Sequence, residues 1–442
     1  MKITRIARRG MAAAAAVVAT ATLAAGCSAG GGAGSNAGDG TGQISVWALQ
    51  GQDGENAALQ AAVDGFNKSQ DKITASLRLI ASDTYTTTIT TTPKDQLPDV
   101  LQIDGPTLAS YVFNGKVSPL KDYVSQAAID NATAGSIAEG TVNGELYALA
   151  QFDSAMGLYG NKKLLDAAKV NYPTSIKEAW TADQFAAALK TLAAENRSGK
   201  ALDLNEAGLA GEWGTYAFAP FVWSAGGNLL KNNTAVGALD SPESVKALTQ
   251  VASWRPFVDS NADSNAFPQG RVALGIGGHW NYPAYSKALG DDLLVMPLPN
   301  FGTGAKAGAG SLTWGIGGGT DNGKAAGAFL SYLLNDANVT AMTKANGAPP
   351  ATKSALASDA LYMKGGPLAL FADQLANSCP SENITATCVA VYRPVTAGYP
   401  TVTSQFSSAL SAIWGGADPA RALGDAAKSI DQNFADNDGY RQ

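Results

Sequence analysis

The chain has 442 residues, enough for two domains with a substantial core, and its 45% hydrophobic and 15% charged content is typical of a globular protein. Four of its 31 basic residues precede Cys27, so that 27 basic residues oppose 37 acidic ones in the remainder, a net charge of −10. So acidic a chain is predicted to bind neither nucleic acid nor an anionic membrane surface. Beyond residue 26, no apolar run of about twenty residues predicts a membrane-spanning helix.

The N-terminus has the features of an export signal. Residues 1–9 carry four positive charges, and the apolar run 11–25 ends in Gly26–Cys27. A basic start, an apolar middle and a small-residue cleavage site predict a secretory signal peptide over residues 1–26. The pentapeptide 23–27 resembles a bacterial lipobox, which implies that Cys27 is acylated and anchors the mature chain to the cell membrane on its extracytoplasmic side. The alternative is ordinary secretion with an incidental cysteine.

A flexible tether is predicted directly after the lipidated cysteine. Residues 28–41 are small and polar and contain almost no apolar side chain, so they cannot bury enough surface to fold. Residues 27–42 would therefore hold a folded body close to a membrane without embedding it.

Three strands are predicted at the start of the folded chain, over residues 43–47, 73–80 and 98–103. Between the first two, four apolar residues from Leu59 to Phe66 recur at helical spacing and predict a helix. Alternating strands and helices are typical of an α/β protein with a mostly parallel sheet.

Further elements are marked along the second half of the chain. Thr181 and Gln184 form a capping box that predicts a helix start, and Ser241–Pro242 predicts another. Residues 302–310 predict a flexible loop.

Five aromatic residues crowd the segment between Gly211 and Gly227. Such a group builds either a core or a ligand platform, and we expect a mixture, with two of the five facing a ligand. They are Trp213, Tyr216, Phe218, Phe221 and Trp223.

The segment 267–280 predicts a buried strand that ends in glycines and an aromatic side chain. Arg271–Ile276 is an apolar run, and the glycines at 275, 277 and 278 allow the backbone to turn. Trp280 then lies at the carboxyl end of a strand, where open α/β sheets bind ligands. A core position is the alternative for Trp280.

Short motifs along the whole folded chain resemble those of the extracellular solute-binding proteins of sugar ABC transporters, the family of maltose-binding-like proteins. The resemblance runs in order from Trp47 to about Ile430. It is carried by Pro98-Asp99-Val100, the run 114–120, the segment 144–165, the Phe-Gly-apolar-Gly-x-Trp run 267–280, and the segments 311–319, 346–350 and 414–419.

The resemblance implies an α/β, two-lobed periplasmic-binding-protein fold of type II, with a ligand cleft between the lobes. Residues 43–151 and 312–354 would form lobe 1, and residues 152–311 and 355–442 lobe 2. The chain would cross between the lobes near Gln151, Ser311 and Ser354.

The resemblance also implies a function. The protein would be a membrane-anchored, extracytoplasmic and monomeric substrate-binding component of an ABC importer, and not an enzyme. It would bind a sugar, in particular an oligosaccharide, between its lobes and deliver it to the permease subunits.

A neutral sugar needs flat aromatic surfaces for its C–H faces and short polar side chains for its hydroxyls. The resemblance implies that Trp47, Tyr216, Trp280 and Trp314 occupy contexts where family members place aromatic residues against sugar rings. The loops after strands supply polar candidates, although a solvated loop is the alternative for Gln50 and its neighbour Gln52. The candidate ligand-binding residues are Trp47, Gln50, Asp53, Asp104, Asp153, Tyr216, Trp280, Trp314, Arg393 and Tyr399.

Several chemistries find no support in the sequence. The chain has one histidine, His279, which we expect to be a structural group, so a serine or cysteine triad is not predicted. No spacing predicts a zinc, calcium or phosphate-loop site, and we expect neither a metal nor a cofactor.

Cys379 and Cys388 lie close together in a chain that carries an export signal. Because oxidising compartments allow disulfides, we predict that they pair and hold a loop of the second lobe, with two free thiols as the alternative.

Two other functions stay open. One is binding of a non-sugar solute such as a sugar phosphate or a peptide, although a phosphate would require more basic residues than the cleft loops contain. The other is a secreted glycoside hydrolase, for which Asp104 and Asp153 have the required residue type.

Overall fold

The computed structural model describes residues 38–261, 263 and 265–440. The predicted signal peptide, the predicted lipidation site Cys27 and most of the predicted tether lie outside these residues. Residues 36–442 form one compact unit. Within the part of the chain described, no helix is both long and apolar enough to cross a bilayer.

Strands and helices alternate along the described chain. The strands are β1 (Gly42–Leu49), β2 (Ile73–Ile80), β3 (Val100–Asp104), β4 (Val117–Ser118), β5 (Thr141–Val142), β6 (Glu145–Leu146), β7 (Ala148–Ala150), β8 (Met156–Asn161), β9 (Leu202–Asp203), β10 (Leu274–Gly278), β11 (Leu293–Met296), β12 (Ala307–Ala309), β13 (Leu312–Gly317), β14 (Ser378–Pro380) and β15 (Ala390–Tyr392). The α-helices are α1 (Asp53–Ser69), α2 (Ser82–Thr91), α3 (Leu108–Phe113), α4 (Gln126–Asn131), α5 (Ala134–Gly140), α6 (Lys162–Ala167), α7 (Ala182–Glu195), α8 (Glu212–Ala225), α9 (Pro242–Ala252), α10 (Tyr282–Leu289), α11 (Gly323–Leu333), α12 (Asp336–Asn346), α13 (Lys353–Ser358), α14 (Ala369–Ala376), α15 (Tyr399–Trp414) and α16 (Pro419–Asp436).

The first sheet has the strand order β2-β1-β3-β13-β4, with β7 also paired to β13. The three predicted strands at its start are parallel, as expected. Strand β13 runs antiparallel to β3, β4 and β7, so five of the six described strands share one direction, as a mostly parallel sheet requires, and β13 alone is reversed. The reversal arises because the chain arrives from β12, a strand of the third sheet, and β13 begins at the carboxyl end of β3, where Leu312 faces Asp104.

The second sheet has the order β11-β8-β10-β9 and is also mixed. Strand β8 is antiparallel to both of its neighbours, and all six of its residues are buried. A third, small sheet joins β12, β15 and β14 in parallel. The predicted loop 302–310 therefore contains a strand, because Ala307–Ala309 pairs with a segment more than 80 residues away.

Each large sheet has its own core. In the first, the predicted apolar face of α1 is buried. Phe66 of that face packs edge-on against Phe329 of α11, with 5.2 Å between the ring centres. In the second, α8 is buried over most of its length. Its Phe221 packs against Trp254, with 5.1 Å between the ring centres. The molecule thus has two lobes, one on each large sheet.

Local sequence signals set several element boundaries. At the start of α7 the Thr181 side chain accepts a hydrogen bond from the Gln184 amide, and the Gln184 side chain accepts one from the Thr181 amide, which confirms the capping box. Ser241 caps α9 in the predicted way. Strand β10 begins at Leu274 rather than at Arg271, because Arg271 lies in a turn and pairs with Asp263 at 2.6 Å.

The chain passes between the sheets at two points flanked by strands. It leaves β7 of the first sheet and enters β8 of the second over residues 151–155, and it returns between β12 and β13 over residues 310–311. Ala351 lies beside the first passage and donates its amide to the Gln151 carbonyl oxygen at 3.0 Å.

Cys379 and Cys388 form a disulfide, as predicted. It links β14 to the residues that lead into β15, so it encloses a short loop at the edge of the third sheet.

Candidate functional site

A buried arginine lies where the two lobes meet. Arg393 directly follows β15, and only 5% of its surface is exposed. Its guanidinium pairs with Asp104, the last residue of β3, at 3.0 Å, and with Glu212, the first residue of α8, at 2.5 Å. One cation therefore links an acid at the carboxyl end of a central strand of the first sheet to an acid on a helix of the second lobe.

Tyrosine and threonine side chains complete this cluster. The Tyr399 hydroxyl donates to Glu212, and the Thr403 hydroxyl does so at 2.6 Å. The guanidinium carbon of Arg393 lies 4.8 Å from the centre of the Tyr216 ring, a cation–π geometry. Burial raises the pKa of the Glu212 carboxyl, and the positive charge of Arg393 opposes this effect.

A second pair of acids lies beside the arginine. The Glu139 carboxylate on α5 accepts hydrogen bonds from the Ser311 amide at 2.9 Å and from its hydroxyl at 3.1 Å. Asp153 accepts from the Tyr392 hydroxyl at 2.8 Å and from the Ser154 amide at 2.7 Å. Burial, and then the negative charge of Asp153, raise the pKa of Glu139 to about 8. Burial also raises the pKa of Asp153.

Glu139, Tyr392 and Arg393 border a cavity of about 470 Å³. Two glycines leave room for them, since a Cβ at Gly105 would lie 1.9 Å from the nearer Glu139 oxygen, and a Cβ at Gly135 would lie 2.7 Å from the Tyr392 hydroxyl. The Glu139 carboxyl is enclosed by protein on most sides while the residue keeps some exposed surface at the cavity. The cavity is lined by Gly105, Pro106, Ala134, Gly135, Ala138, Glu139, Ala309, Ser378, Cys379, Pro380, Tyr392, Arg393 and Val395.

An aromatic corner adjoins the arginine cluster through Tyr216. Trp280, in the turn after β10, is half-buried and lies 6.1 Å from the Tyr216 ring and 6.2 Å from the Trp213 ring. The other three aromatic residues of α8 are fully buried in the core. Of the five aromatics, Trp213 and Tyr216 thus lie beside Trp280, and whether two of the five face a ligand stays a prediction.

His279 is a structural residue, as expected. It is 1% exposed, and its Nδ1 donates to the Asn346 carbonyl oxygen at 3.2 Å, since a carbonyl can only accept. Its Nε2 must then accept from the Ser154 hydroxyl at 3.0 Å. Burial lowers the pKa of His279 to about 4, which keeps the ring neutral near pH 7.

The family model for bacterial extracellular solute-binding proteins matches residues 61–366, more than half of the chain. The chain belongs to this family.

Solved structures share the fold of this solute-binding protein. The GacH receptor of Streptomyces glaucescens is 21% identical with a TM-score of 0.73, over 90% of this chain and 99% of that one. The cyclic α-maltosyl-1,6-maltose-binding protein of Arthrobacter globiformis is 23% identical with a TM-score of 0.70, over 90% and 100%. The maltose/maltodextrin-binding domain MalE of Bdellovibrio bacteriovorus is 18% identical with a TM-score of 0.72, over 89% and 100%. No curated protein sequence matches the chain.

Six of the ten candidate ligand-binding residues of this solute-binding protein lie together. Asp104, Arg393 and Tyr399 belong to the ionic cluster, and Tyr216 connects that cluster to Trp280. Asp153 is joined to the same region through Tyr392, the neighbour of Arg393.

The other four candidates lie elsewhere. Trp314 is fully buried in the first core, where its Nε1 donates to the Gln151 side chain at 3.2 Å. Trp47 lies within β1, with the Arg78 guanidinium 4.7 Å from its ring centre. Gln50 and Asp53 are exposed at the start of α1.

Sequence reasoning missed five polar residues of the site, Glu139, Glu212, Ser311, Tyr392 and Thr403. Glu212 begins the aromatic helix and Tyr392 precedes Arg393, so both were next to residues that had been singled out. Glu139 lies on a short helix and carries no local signal. Its role at the cavity depends on the return of the chain at Ser311, 172 residues later.

Within the described ranges, no group of three or more His, Cys, Asp or Glu side chains has a geometry that could hold a metal ion.

Proposed function

We propose that this protein is the extracytoplasmic binding component of an ABC importer, that it binds a sugar, in particular an oligosaccharide, and that it delivers the sugar to the permease. The observation that carries the proposal is the interlobe cavity, which is bordered by Arg393 and Glu139 and adjoins the corner made by Trp280 and Tyr216. Two of the similar solved structures support a sugar ligand, one named for cyclic α-maltosyl-1,6-maltose and the other bound to maltotriose.

The chemistry of these residues suits a sugar. Trp280 and Tyr216 offer apolar ring faces, and the carboxylates Asp104 and Asp153 can each accept two hydroxyl hydrogen bonds. Arg393 would orient the ligand from the side of the third sheet, with Tyr399 supporting it through Glu212.

Closure of the two lobes around the ligand would produce the form that the permease recognises. Lobe 1 would consist of residues 43–151 and 312–354, and lobe 2 of residues 152–311 and 355–442. The protein would be a monomer. A lipid on Cys27 would attach it to the membrane. We expect Cys27→Ser to release the protein from the membrane fraction; retention of the variant there would contradict the anchor.

A binding screen tests the proposed ligand class. Residues 36–442 form one compact unit and would be tested by thermal shift and calorimetry against mono- and oligosaccharides, with peptides and sugar phosphates as controls. A ligand at a hundred times its dissociation constant stabilises the protein by about 2.7 kcal/mol. Stabilisation by a peptide or a phosphate, and by none of the sugars, would overturn the proposal.

A glycoside hydrolase is the second candidate, because the raised pKa of Glu139 is what a general acid requires. Prolonged incubation with the best-binding oligosaccharide separates the two functions. A binding protein returns the sugar intact, whereas appearance of shorter products would favour the hydrolase.

A further inference from the structure

Besides the arginine cluster, a group of aromatic rings joins the two lobes. Tyr440 lies in the turn after α16, and its ring centre is 5.5 Å from that of Phe113, the last residue of α3, and 5.3 Å from that of Phe434 on α16. Both contacts are edge-on. Helix α3 packs on the first sheet, whereas Phe434 is buried in the second core. Tyr440 therefore connects the lobes, and we call Phe113, Phe434 and Tyr440 the interlobe clasp.

The turn that carries Tyr440 has a strained backbone. Asp438, Gly439 and Tyr440 have φ angles of 50°, 69° and 54°, in the left-handed region that suits glycine but is unfavourable for a residue with a Cβ. The Tyr440 amide donates to the Asn437 carbonyl oxygen at 2.8 Å, and its hydroxyl donates to the Asn433 side chain at 2.7 Å. Strain of this kind persists only where the surroundings fix the geometry, and it is typical of segments that switch.

The junction around the clasp is loosely packed. A cavity of about 240 Å³ lies between the lobes there, with Phe113 and Thr141 of lobe 1 and Thr396 and Tyr440 of lobe 2 in its wall. A junction with room for water separates at a lower cost than a close-packed core, so the contact between Phe113 and Tyr440 is suited to form and break. Val395 borders both this cavity and the ligand cavity, which places the clasp beside the candidate site.

Building on the proposed function, we propose that the interlobe clasp holds the lobes in the arrangement that forms the ligand cavity before any ligand is bound, and that it opens when the lobes separate. Glu139 of lobe 1 and Arg393 of lobe 2 border one cavity only in this arrangement. A ligand that requires both lobes binds more tightly when a larger fraction of the molecules is already so arranged. The clasp therefore raises the affinity although Phe113 and Tyr440 lie outside the wall of the ligand cavity.

Distances between spin labels on the two lobes, measured by pulsed electron paramagnetic resonance, test this inference without a ligand. The labels are placed in residues 36–442 at Ala57→Cys on α1 and Lys246→Cys on α9, both exposed positions, while the two native cysteines of this unit are joined in the disulfide. We expect Phe113→Ala and Tyr440→Ala each to raise the ratio of separated to joined lobes by about 2- to 10-fold, the range for one edge-on aromatic contact.

Three further variants distinguish the clasp from a local packing role. Tyr440→Phe keeps the ring and should behave like the wild type. The double variant Phe113→Ala with Tyr440→Ala should match the single variants, because their shared contact can be lost only once. Tyr172→Ala removes a partly buried ring at the margin of the second core, outside the walls of both cavities, and should leave the distances unchanged.

The outcomes also separate this inference from the proposed function. Unchanged distances in Phe113→Ala, an additive change in the double variant, or an equal change in Tyr172→Ala would overturn the clasp and leave sugar binding intact. A sugar found in the binding screen should bind Phe113→Ala and Tyr440→Ala more weakly by the factor that the distances give, and unchanged affinity would overturn the link to binding. Failure of every sugar to bind would overturn the proposed function, whereas the distances alone decide whether the clasp holds the lobes.

Discussion

At the scale of single residues, the site depends on side chains whose surroundings give them unusual properties. The Glu139 carboxyl is enclosed beside a second acid, and Trp280 is a large aromatic residue that is only half-buried. The first is costly when it is charged, and the second leaves apolar surface exposed. Both costs are understandable if these residues meet a ligand.

Trp280→Ala should weaken sugar binding by about 2 to 4 kcal/mol, the range for an aromatic anchor at an interface. The unliganded protein should lose much less stability, because the ring is only partly buried and lies at the margin of the second core, beside Trp213, Tyr216 and His279. Affinity by calorimetry and unfolding in urea would be measured on the same variant. If the ring serves the core instead, unfolding should become easier by about 3 to 5 kcal/mol while affinity stays near normal.

Glu139→Gln should stabilise the unliganded protein at alkaline pH. The pKa of Glu139 is raised from 4.5 to about 8 on folding, so its contribution to stability is fully present below about pH 4.5 and is lost as the pH rises through 8. The amide has nearly the same shape and does not ionise. We therefore expect the variant to match the wild type near pH 5 and to exceed it by about 2 kcal/mol near pH 9, after allowance for screening by solvent.

Urea unfolding at the two pH values measures this difference. Glu243→Gln provides the control. Because the Glu243 side chain is exposed, this substitution should change the free energy of unfolding by the same small amount at both pH values. A pH-independent effect of Glu139→Gln would show that Glu139 is already ionised in the folded protein.

At the scale of secondary-structure elements, the third sheet is small but carries much of the site. Its three strands have three residues each, and β15 positions Tyr392 and Arg393. The backbone hydrogen bonds between such short strands contribute little stability. The disulfide between Cys379 and Cys388 joins the edge strand of this sheet to the residues before β15.

Replacing both cysteines, as Cys379→Ser with Cys388→Ser, should lower the free energy of unfolding by about 2 to 4 kcal/mol. Ligand affinity should fall as well, because Cys379 lines the cavity beside Arg393. Thermal unfolding and calorimetry would be compared with those of Cys27→Ser, whose substitution should leave both unchanged. Detection of two free thiols in the wild-type exported protein would contradict the role of the disulfide.

At the scale of the whole molecule, Arg393 connects the lobes. It pairs with Asp104 on the first sheet and with Glu212 on a helix of the second lobe, and its side chain is 3% exposed. A buried charge network of this kind contributes little by its mere presence, but loss of one member leaves uncompensated charges.

Arg393→Met should lower the free energy of unfolding by about 3 to 5 kcal/mol, because it leaves Asp104 and Glu212 without their cation. Adding Glu212→Gln should recover part of the loss, since it removes one uncompensated charge. Denaturation in urea at pH 7 would compare both variants with the wild type and with Glu212→Gln alone. If the double variant is no more stable than Arg393→Met, the uncompensated charge of Glu212 does not account for the stability that Arg393→Met loses.

Elements governed by nearby residues could be predicted from the sequence. Strand β2 has the predicted bounds, the apolar face from Leu59 to Phe66 is buried, and Thr181 begins α7 with its capping box. Each signal lies within about ten residues, and steric preference, side-chain spacing and local hydrogen bonds act over that distance. The order of short motifs likewise predicted the family that the comparison confirmed.

The composition of the site was decided only by the tertiary structure. Arg393 meets Asp104 from 289 residues away and Glu212 from 181, and no local pattern encodes such a contact. The same limit applies to Trp314, which the family resemblance assigned to the ligand and the packing of β13 against its neighbours places in the core. A sequence pattern shows which side chains alternate along a strand. Which face of that strand is covered depends on chain segments that arrive from elsewhere, and so it is determined only when the whole chain has packed.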